Sequence, residues 1–378
     1  LKTKFPVESR AAVAEIDLGA IAHNLLEIKK RVAPAKVMAV VKANAYGHGA
    51  VAVAKTAVEH GVDYFGVARV EEGVELREAG ITKPILVLGG FFEAQIAESL
   101  KYNLELTLYD RGLAAVLSKR ARPGKPARVH LKIDTGMGRV GAPWQQAAQF
   151  VQQIGELANI EMVGVYTHLS SADESDPTYS NTQLARFRKI ILELESQGVR
   201  MPLKHAANSG ALLNWPESFF DLVRPGVSLY GYYPAAETAR SLPLRPAMSI
   251  KSRVIFIKEV EKDAFISYNR TYQARQKTRV ATVAIGYADG YNRLLSNRGE
   301  VLIRGRRWPV IGRVTMDQIM VDIGAASEIQ IGDEVVLLGR QGGEEITIYE
   351  ICEKLNTIPY EVTCWVSERV ARVYKNNR

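Results

Sequence analysis

The chain has 378 residues, 47% of them apolar, enough for two domains with sizeable cores. Its formal net charge of +8 is scattered, the densest groupings being Lys29-Lys30-Arg31, Lys119-Arg120 with Arg122, and Arg304 with Arg306-Arg307; this matches small anionic ligands and carries no nucleic-acid module signature. Cys352 and Cys364 are too few for a disulfide framework and lack zinc-site spacing, no run reaches the ~18 apolar residues of a membrane span, and the first residues, LKTKFPVESR, lack a signal-peptide core, so a cytoplasmic protein without a metal or membrane contact is expected.

Short apolar runs follow one another at 36–41, 63–68, 84–88, 104–108, 128–133, 161–167, 203–206 and 221–224. Between most of them lie helical patterns, such as Gln145 to Leu157, and Thr182 to Gln197 with Leu184, Phe187, Ile191 and Leu194 at helical spacing. Eight strands alternating with helices, with no GxGxxG opening a helix, predict a parallel (β/α)8 TIM-like barrel rather than an open doubly wound sheet. After Pro243 and Pro246 the pattern changes to strands at 249–260, 279–285, 300–303, 308–311, 318–323 and 334–338, with one helix near Tyr349 to Leu355. The expected organisation is α/β: a barrel domain over residues 1–243 and a C-terminal, mainly β domain over 244–378.

Barrel chemistry gathers at the C-terminal ends of the strands. Strand one ends in Lys42, with Tyr46 beyond it in AVVKANAYGHG. A lysine closing a buried strand either snorkels to water or is held deprotonated, and a deprotonated amine is a nucleophile for aldehydes. Strand five ends in LKIDTGMGR, with Lys132, Asp134 and Arg139; strand six ends at His168; strand seven in HAANSG, with His205, Asn208, Ser209 and Gly210; strand eight in Arg224-Pro225-Gly226. Ser209-Gly210 opens a short helix, where a hydroxyl and free N–H groups either hold an anion or form an ordinary N-cap. Gly226 lets the backbone approach an anion. Lysine and anion cradle in one barrel mouth point to a phosphorylated aldehyde cofactor, pyridoxal 5'-phosphate (PLP).

Over nearly its whole length, from AEIDLGAIAHN to WVSERVARVY, the chain resembles the alanine racemases, barrel-fold PLP enzymes. The motifs carrying the resemblance are AVVKANAYGHG, LKIDTGMGR, HAANSG, RPG, IGYADGY and the MD of VTMDQIMVD, in the family's order. The resemblance implies that Lys42 binds PLP covalently and transfers protons. It also implies phosphate ligands at Tyr46, Ser209, Gly226, Val227 and Tyr360, and Arg224 facing the pyridine nitrogen. An arginine there disfavours a second positive charge on the ring, which limits side reactions such as transamination. On the opposite face the resemblance places Tyr268, supported through His168 and Arg224. By itself Tyr268 reads as a sheet tyrosine.

In the family the tyrosine comes from the other subunit, so the resemblance implies a homodimer with shared sites. Met316 of the partner subunit and Arg139 would hold the carboxylate of a small amino-acid substrate. Asp173, Tyr287, Arg293 and Arg313 would line the access path; alone, these charges read as ordinary surface. Lys132, on the same strand face as Asp134, is expected to be carbamylated so that its new carboxylate pairs with Arg139, an anion such as chloride being the alternative. Asn269 stands where the family usually has glycine, and Thr315 where it often has cysteine or serine. Both bear on selectivity. The expected activity is interconversion of L- and D-alanine for peptidoglycan; a broader small amino-acid racemase acting on serine, a PLP decarboxylase, and a non-catalytic PLP-binding homeostasis protein are the alternatives.

Overall fold

The computed structural model describes residue 6, residues 9–235 and residues 238–376, and the chain divides into two compact units. The larger is a parallel barrel. Its eight strands, Lys36–Val40, Tyr64–Val67, Ile85–Val87, Glu105–Leu108, Ala127–Asp134, Ile160–Tyr166, Leu203–His205 and Leu222–Val223, pair in chain order, and the last returns to the first. Backbone bonds from Asp221 N to Lys204 O and from Arg224 N to Ala207 O join strands seven and eight. The strands are buried almost throughout, which is why they read as continuous apolar runs. Met38, Tyr64, Leu86, Val163, Leu203 and Leu222, each from a different strand, form one apolar cluster. Helices at Ala50–Glu59, Val70–Glu78, Ile96–Lys101, Arg111–Arg120, Ala147–Gly155, Thr178–Ser196 and Ser209–Asn214 follow the first seven strands. Strand eight is followed only by a 3-10 turn, Val227–Tyr230. That end is held by buried Asn24 of the helix Leu18–Val32, whose amide donates to the carbonyls of Leu229 and Arg245 and accepts from Arg245 N.

The second unit is a mainly antiparallel sheet. Met248–Val260, Thr278–Val283, Ile319–Gly324, Arg306–Ile311, Glu300–Ile303 and Glu334–Gln341 pair in that spatial order, and Glu334–Gln341 pairs back onto Met248–Val260 to close the ring. Alternate residues such as Val254, Val283, Val301, Ile319, Val321 and Val335 face its core.

A division at residues 243 and 244 places strand Ala12–Asp17 in the barrel; the structure does not. Ala12–Asp17 pairs antiparallel with Met248–Val260 and parallel with Ala371–Lys375, so it belongs to the sheet unit, as do Tyr46–His48. Strand Ala12–Asp17 was hidden because its partners lie at the far end of the chain. Among the described residues, no helix is long and apolar enough to cross a membrane.

Candidate active site

Lys42 lies two residues past the end of the first barrel strand and begins a turn with an unusual backbone. Ala43, Asn44, Ala45 and Tyr46 have φ of 51, 52, 54 and 52°, four consecutive left-handed residues without a glycine. Left-handed backbone costs an L-residue roughly 1–2 kcal/mol, so the turn persists only where its surroundings hold it. The holders are visible. Glu72 accepts from Ala43 N at 2.7 Å, Ala45 N reaches Val41 O at 2.8 Å, and Asn44 accepts through its backbone from Gly49 N and through its side chain from Ala50 N. The other oxygen of Glu72 takes Ala68 N and Arg69 N. No composition signal announces this turn, and Glu72 was not legible as a site residue.

Arg224, just past strand eight, is 4% exposed. Its Nη1 donates to His205 Nδ1 at 2.8 Å, and its Nη2 to the carbonyls of Thr167 at 2.7 Å and Ala206 at 2.9 Å. The Tyr166 ring lies 5.2 Å from the guanidinium carbon and stacks on His205. Burial lowers Arg224 to about 10, which leaves it protonated at neutral pH. His168 Nδ1 stands 3.5 Å from Arg224 Nη2, a long contact. Burial first, then the charges of Arg224, Arg139, Lys132 and Lys42, push His168 well below the ordinary histidine range, so it is neutral. The sequence predicts a ring of chemistry at this rim, and the barrel brings Lys42, Lys132, His168 and Arg224 into electrostatic reach of one another.

Lys132 is buried, its Nζ 5.5 Å from the Tyr166 ring centre. Burial, then the charges of Arg139 and Arg224, lowers its amine to about 8. Asp134 works in the opposite sense, but its carboxylate is engaged elsewhere, accepting from Gly136 N and Gly138 N at 2.9 Å. Those bonds shape the loop that carries exposed Arg139.

Ser209 is not the N-cap of its helix. Asn208 is, its side chain accepting from Ala211 N at 3.0 Å. This frees the Ser209 hydroxyl, which accepts from Gly226 N at 2.9 Å and Ser228 N at 3.3 Å. Two backbone N–H groups and a hydroxyl thus converge at the start of the turn Val227–Tyr230, beside the buried Ser228 Oγ, which has no hydrogen-bond partner. Such a set suits phosphate oxygens. Gly210 lets the helix sit against the loop after strand six: a Cβ there would stand 2.8 Å from Asp173 N.

Within the sheet unit, Tyr46 and Tyr360 meet, ring centroids 6.0 Å apart. Tyr268, Tyr287, Arg293, Arg313 and Met316 are gathered by short bonds among their turns. Ser267 Oγ donates to Arg313 O, Tyr287 N to Thr315 O, and Val314 N to Ser296 Oγ, whose hydroxyl donates to Arg293 O. Tyr268 is 67% exposed and Met316 52%, unusual for residues of their size. Asn269 takes φ 59°, the conformation its glycine-like position demands. The Thr315 hydroxyl is tied into its own turn, donating to Gln318 O at 2.8 Å.

Two family models match the chain: the alanine racemase N-terminal domain over residues 16–234 and the alanine racemase C-terminal domain over residues 247–374. The chain is 46% identical over 370 residues to alanine racemase 2 of Caldanaerobacter subterraneus subsp. tengcongensis, spanning 97% of this chain and 95% of that one. It is 47% identical over 365 residues to the alanine racemase of Desulforamulus reducens, spanning 96% and 98%. Among solved structures, the alanine racemase of Clostridium difficile 630 matches with a TM-score of 0.93 at 40% identity, over 98% of this chain and 97% of that one. The alanine racemase from Bartonella henselae with covalently bound pyridoxal phosphate matches with a TM-score of 0.86 at 28% identity, over 97% and 99%.

Proposed function

Because this chain belongs to the alanine racemase family and is an amino-acid racemase, we propose that it interconverts L- and D-alanine with PLP, in the cytoplasm, as a homodimer supplying D-alanine for peptidoglycan. The observation that carries the cofactor reading is the pairing of Arg224, pinned by three acceptors, with the anion cradle of Ser209, Gly226 and Ser228 in the mouth that also holds Lys42. The residues fit the group. Lys42 would anchor its aldehyde. Ser209 and the N–H groups of Gly226 and Val227, with Tyr46 and Tyr360, would hold its phosphate. Arg224 would face its ring nitrogen. When bound, PLP supplies an electron-withdrawing ring that acidifies the substrate's Cα proton.

The chain's own groups do the rest. Lys42 Nζ takes or returns the Cα proton on one face, and Tyr268 Oη of the partner subunit does so on the other. Arg139 and the N–H of Met316 of the partner subunit hold the substrate carboxylate. Arg224, a donor only, keeps the ring nitrogen from gaining a proton. Neutral His168, 3.5 Å from this arginine, would support a phenolate at Tyr268 of the partner subunit. Lys132, an amine that sheds its proton more readily than usual, is suited to carbamylation, and the carbamate would pair with Arg139. Asp173, Tyr287, Arg293 and Arg313 would line the path by which an anionic carboxylate enters.

Complementation tests this reading. Lys42→Ala is expected to abolish racemisation of L-alanine, and Tyr268→Ala to lower it by roughly 100-fold or more. Mixed and re-formed, they yield hybrid dimers with one intact site, and activity returns. Failure to recover activity in verified hybrids would refute shared sites; activity on serine exceeding that on alanine would overturn the substrate assignment.

A further inference from the structure

A line of buried polar side chains runs up through the barrel to Arg224. Glu105 opens strand four, His130 lies in strand five, and His205 ends strand seven; they are 2, 0 and 0% exposed. Glu105 Oε2 is 2.9 Å from His130 Nε2, His130 Nδ1 is 2.9 Å from His205 Nε2, and His205 Nδ1 is 2.8 Å from Arg224 Nη1. At its lower end Glu105 also meets Arg128, which bridges to Glu161. Gly164 makes room for the middle of the line: a Cβ there would stand 2.7 Å from His130 Nδ1.

The two ends dictate the protons between them. An arginine only donates, so His205 Nδ1 must accept. A neutral imidazole then carries its proton on Nε2, which donates to His130 Nδ1. His130 in turn carries its proton on Nε2 and donates it to Glu105. A doubly protonated His130 would drive the His205 proton onto Nδ1, donor against donor at Arg224. One arrangement satisfies every contact.

We propose that Glu105 and His130 are positioning residues of the active site, which lock His205 as its Nε2–H tautomer so that it accepts from Arg224 and holds the guanidinium in a single orientation towards the cofactor ring. This rests on the reading that Arg224 faces that ring. Burial, with the neighbouring charge of Arg224, keeps His205 far below the ordinary histidine range, in keeping with a neutral ring. The Tyr166 ring stacked on His205, with centroids 4.6 Å apart and planes 10° apart, fixes the plane in which the tautomer acts.

Glu105→Gln should reverse the line. Arg128 only donates, so it claims the glutamine carbonyl and turns the amide NH2 towards His130. His130 must then carry its proton on Nδ1, and His205 likewise, against Arg224. With the PLP-loaded enzyme, the expected result is a fall in kcat of about tenfold or more with KM little changed, as for loss of a residue that orients a functional group, together with a shifted visible absorption band of the cofactor. Adding Arg128→Met lets the glutamine rotate and offer its carbonyl, so the double variant should regain most of the lost kcat. A merely structural role for Glu105 would give no such rescue, and absence of rescue in a folded double variant overturns the proposal. A second arm needs no variant. In wild-type holoenzyme labelled with 15N at its six histidines, the His205 and His130 signals should show protonated Nε2 and bare Nδ1. Protonated His205 Nδ1 in an active racemase sinks the proposal. The predicted tautomers in a protein that does not racemise alanine would support the lock and sink the racemase reading instead.

Discussion

The carboxylate of Glu72 meets the N–H of Ala43 at 2.7 Å, one peptide beyond Lys42. A surface-helix side chain thus closes the left-handed turn that aims the lysine. Glu72→Ala strands the N–H groups of Ala43, Ala68 and Arg69, and is expected to destabilise the fold by about 1–3 kcal/mol. Glu72→Gln keeps a carbonyl acceptor and should fall between. Urea unfolding measures the stability, and recovery of visible absorbance on adding PLP measures lysine placement. An unchanged midpoint with unchanged PLP uptake would remove Glu72 from this role.

Asn269 holds the turn beside Tyr268 at positive φ. Asn269→Gly should be close to neutral in stability, whereas Asn269→Ala is expected to cost about 1 kcal/mol. Both read out in thermal melts. If alanine is tolerated as well as glycine, the turn does not depend on the left-handed conformation.

Lys132 carries a pH signature in the unmodified protein. Its amine loses a proton at about 8 when folded, against an ordinary value of 10.5. Below 8 both states are charged, and the folded state bears the full burden of a buried ammonium. Between about 8 and 10.5 the unfolded state binds more protons, so stability rises with pH and the burden is relieved. The difference between wild type and Lys132→Met, followed by urea unfolding without bicarbonate, should therefore shrink across that window by on the order of 3 kcal/mol at most. With 13C-bicarbonate, a carbamate carbon signal should appear in wild type and be missing from the variant.

Tyr268→Ala should divide two reactions. Racemisation of L-alanine is expected to fall by roughly 100-fold or more, while exchange of the Cα hydrogen of D-alanine with solvent should fall much less, because Lys42 still serves its own face. Proton NMR in deuterium oxide follows the exchange directly. Equal loss of both would contradict the assignment of Tyr268 and Lys42 to opposite faces.

The barrel was legible because strands buried on both faces appear as unbroken apolar runs, and the strand ends then put Lys42, His168, Ser209 and Arg224 at the mouth. What escaped reading has common physical causes. KANAY contains no glycine, so nothing in its composition betrays four left-handed residues. Glu105 at the head of ELTL reads as a strand boundary, and His130 in VHLKID as a lone core histidine; only the fold shows them joined. Asn208 and Ser209 are both good N-caps, and which one serves depends on where strand eight places its amides. Tyr268, Tyr287, Arg293, Arg313 and Met316 were legible only through the family motifs, because their turns are far apart in sequence and are joined by loop hydrogen bonds that leave no local pattern.

Strand Ala12–Asp17 gives the chain a schedule. It is synthesised before the whole barrel, yet both strands it pairs with, Met248–Val260 and Ala371–Lys375, come after it. At roughly 5–20 residues per second, it waits on the order of tens of seconds for its last partner. Ala14 and Ile16, fully buried in the finished sheet, have no sheet neighbour until Met248–Val260 emerges and only one until Ala371–Lys375 does. Synthesis thus leaves one edge of a nascent strand open to other edges until Ala371–Lys375 emerges, and a truncation that removes that strand would leave the edge open for good.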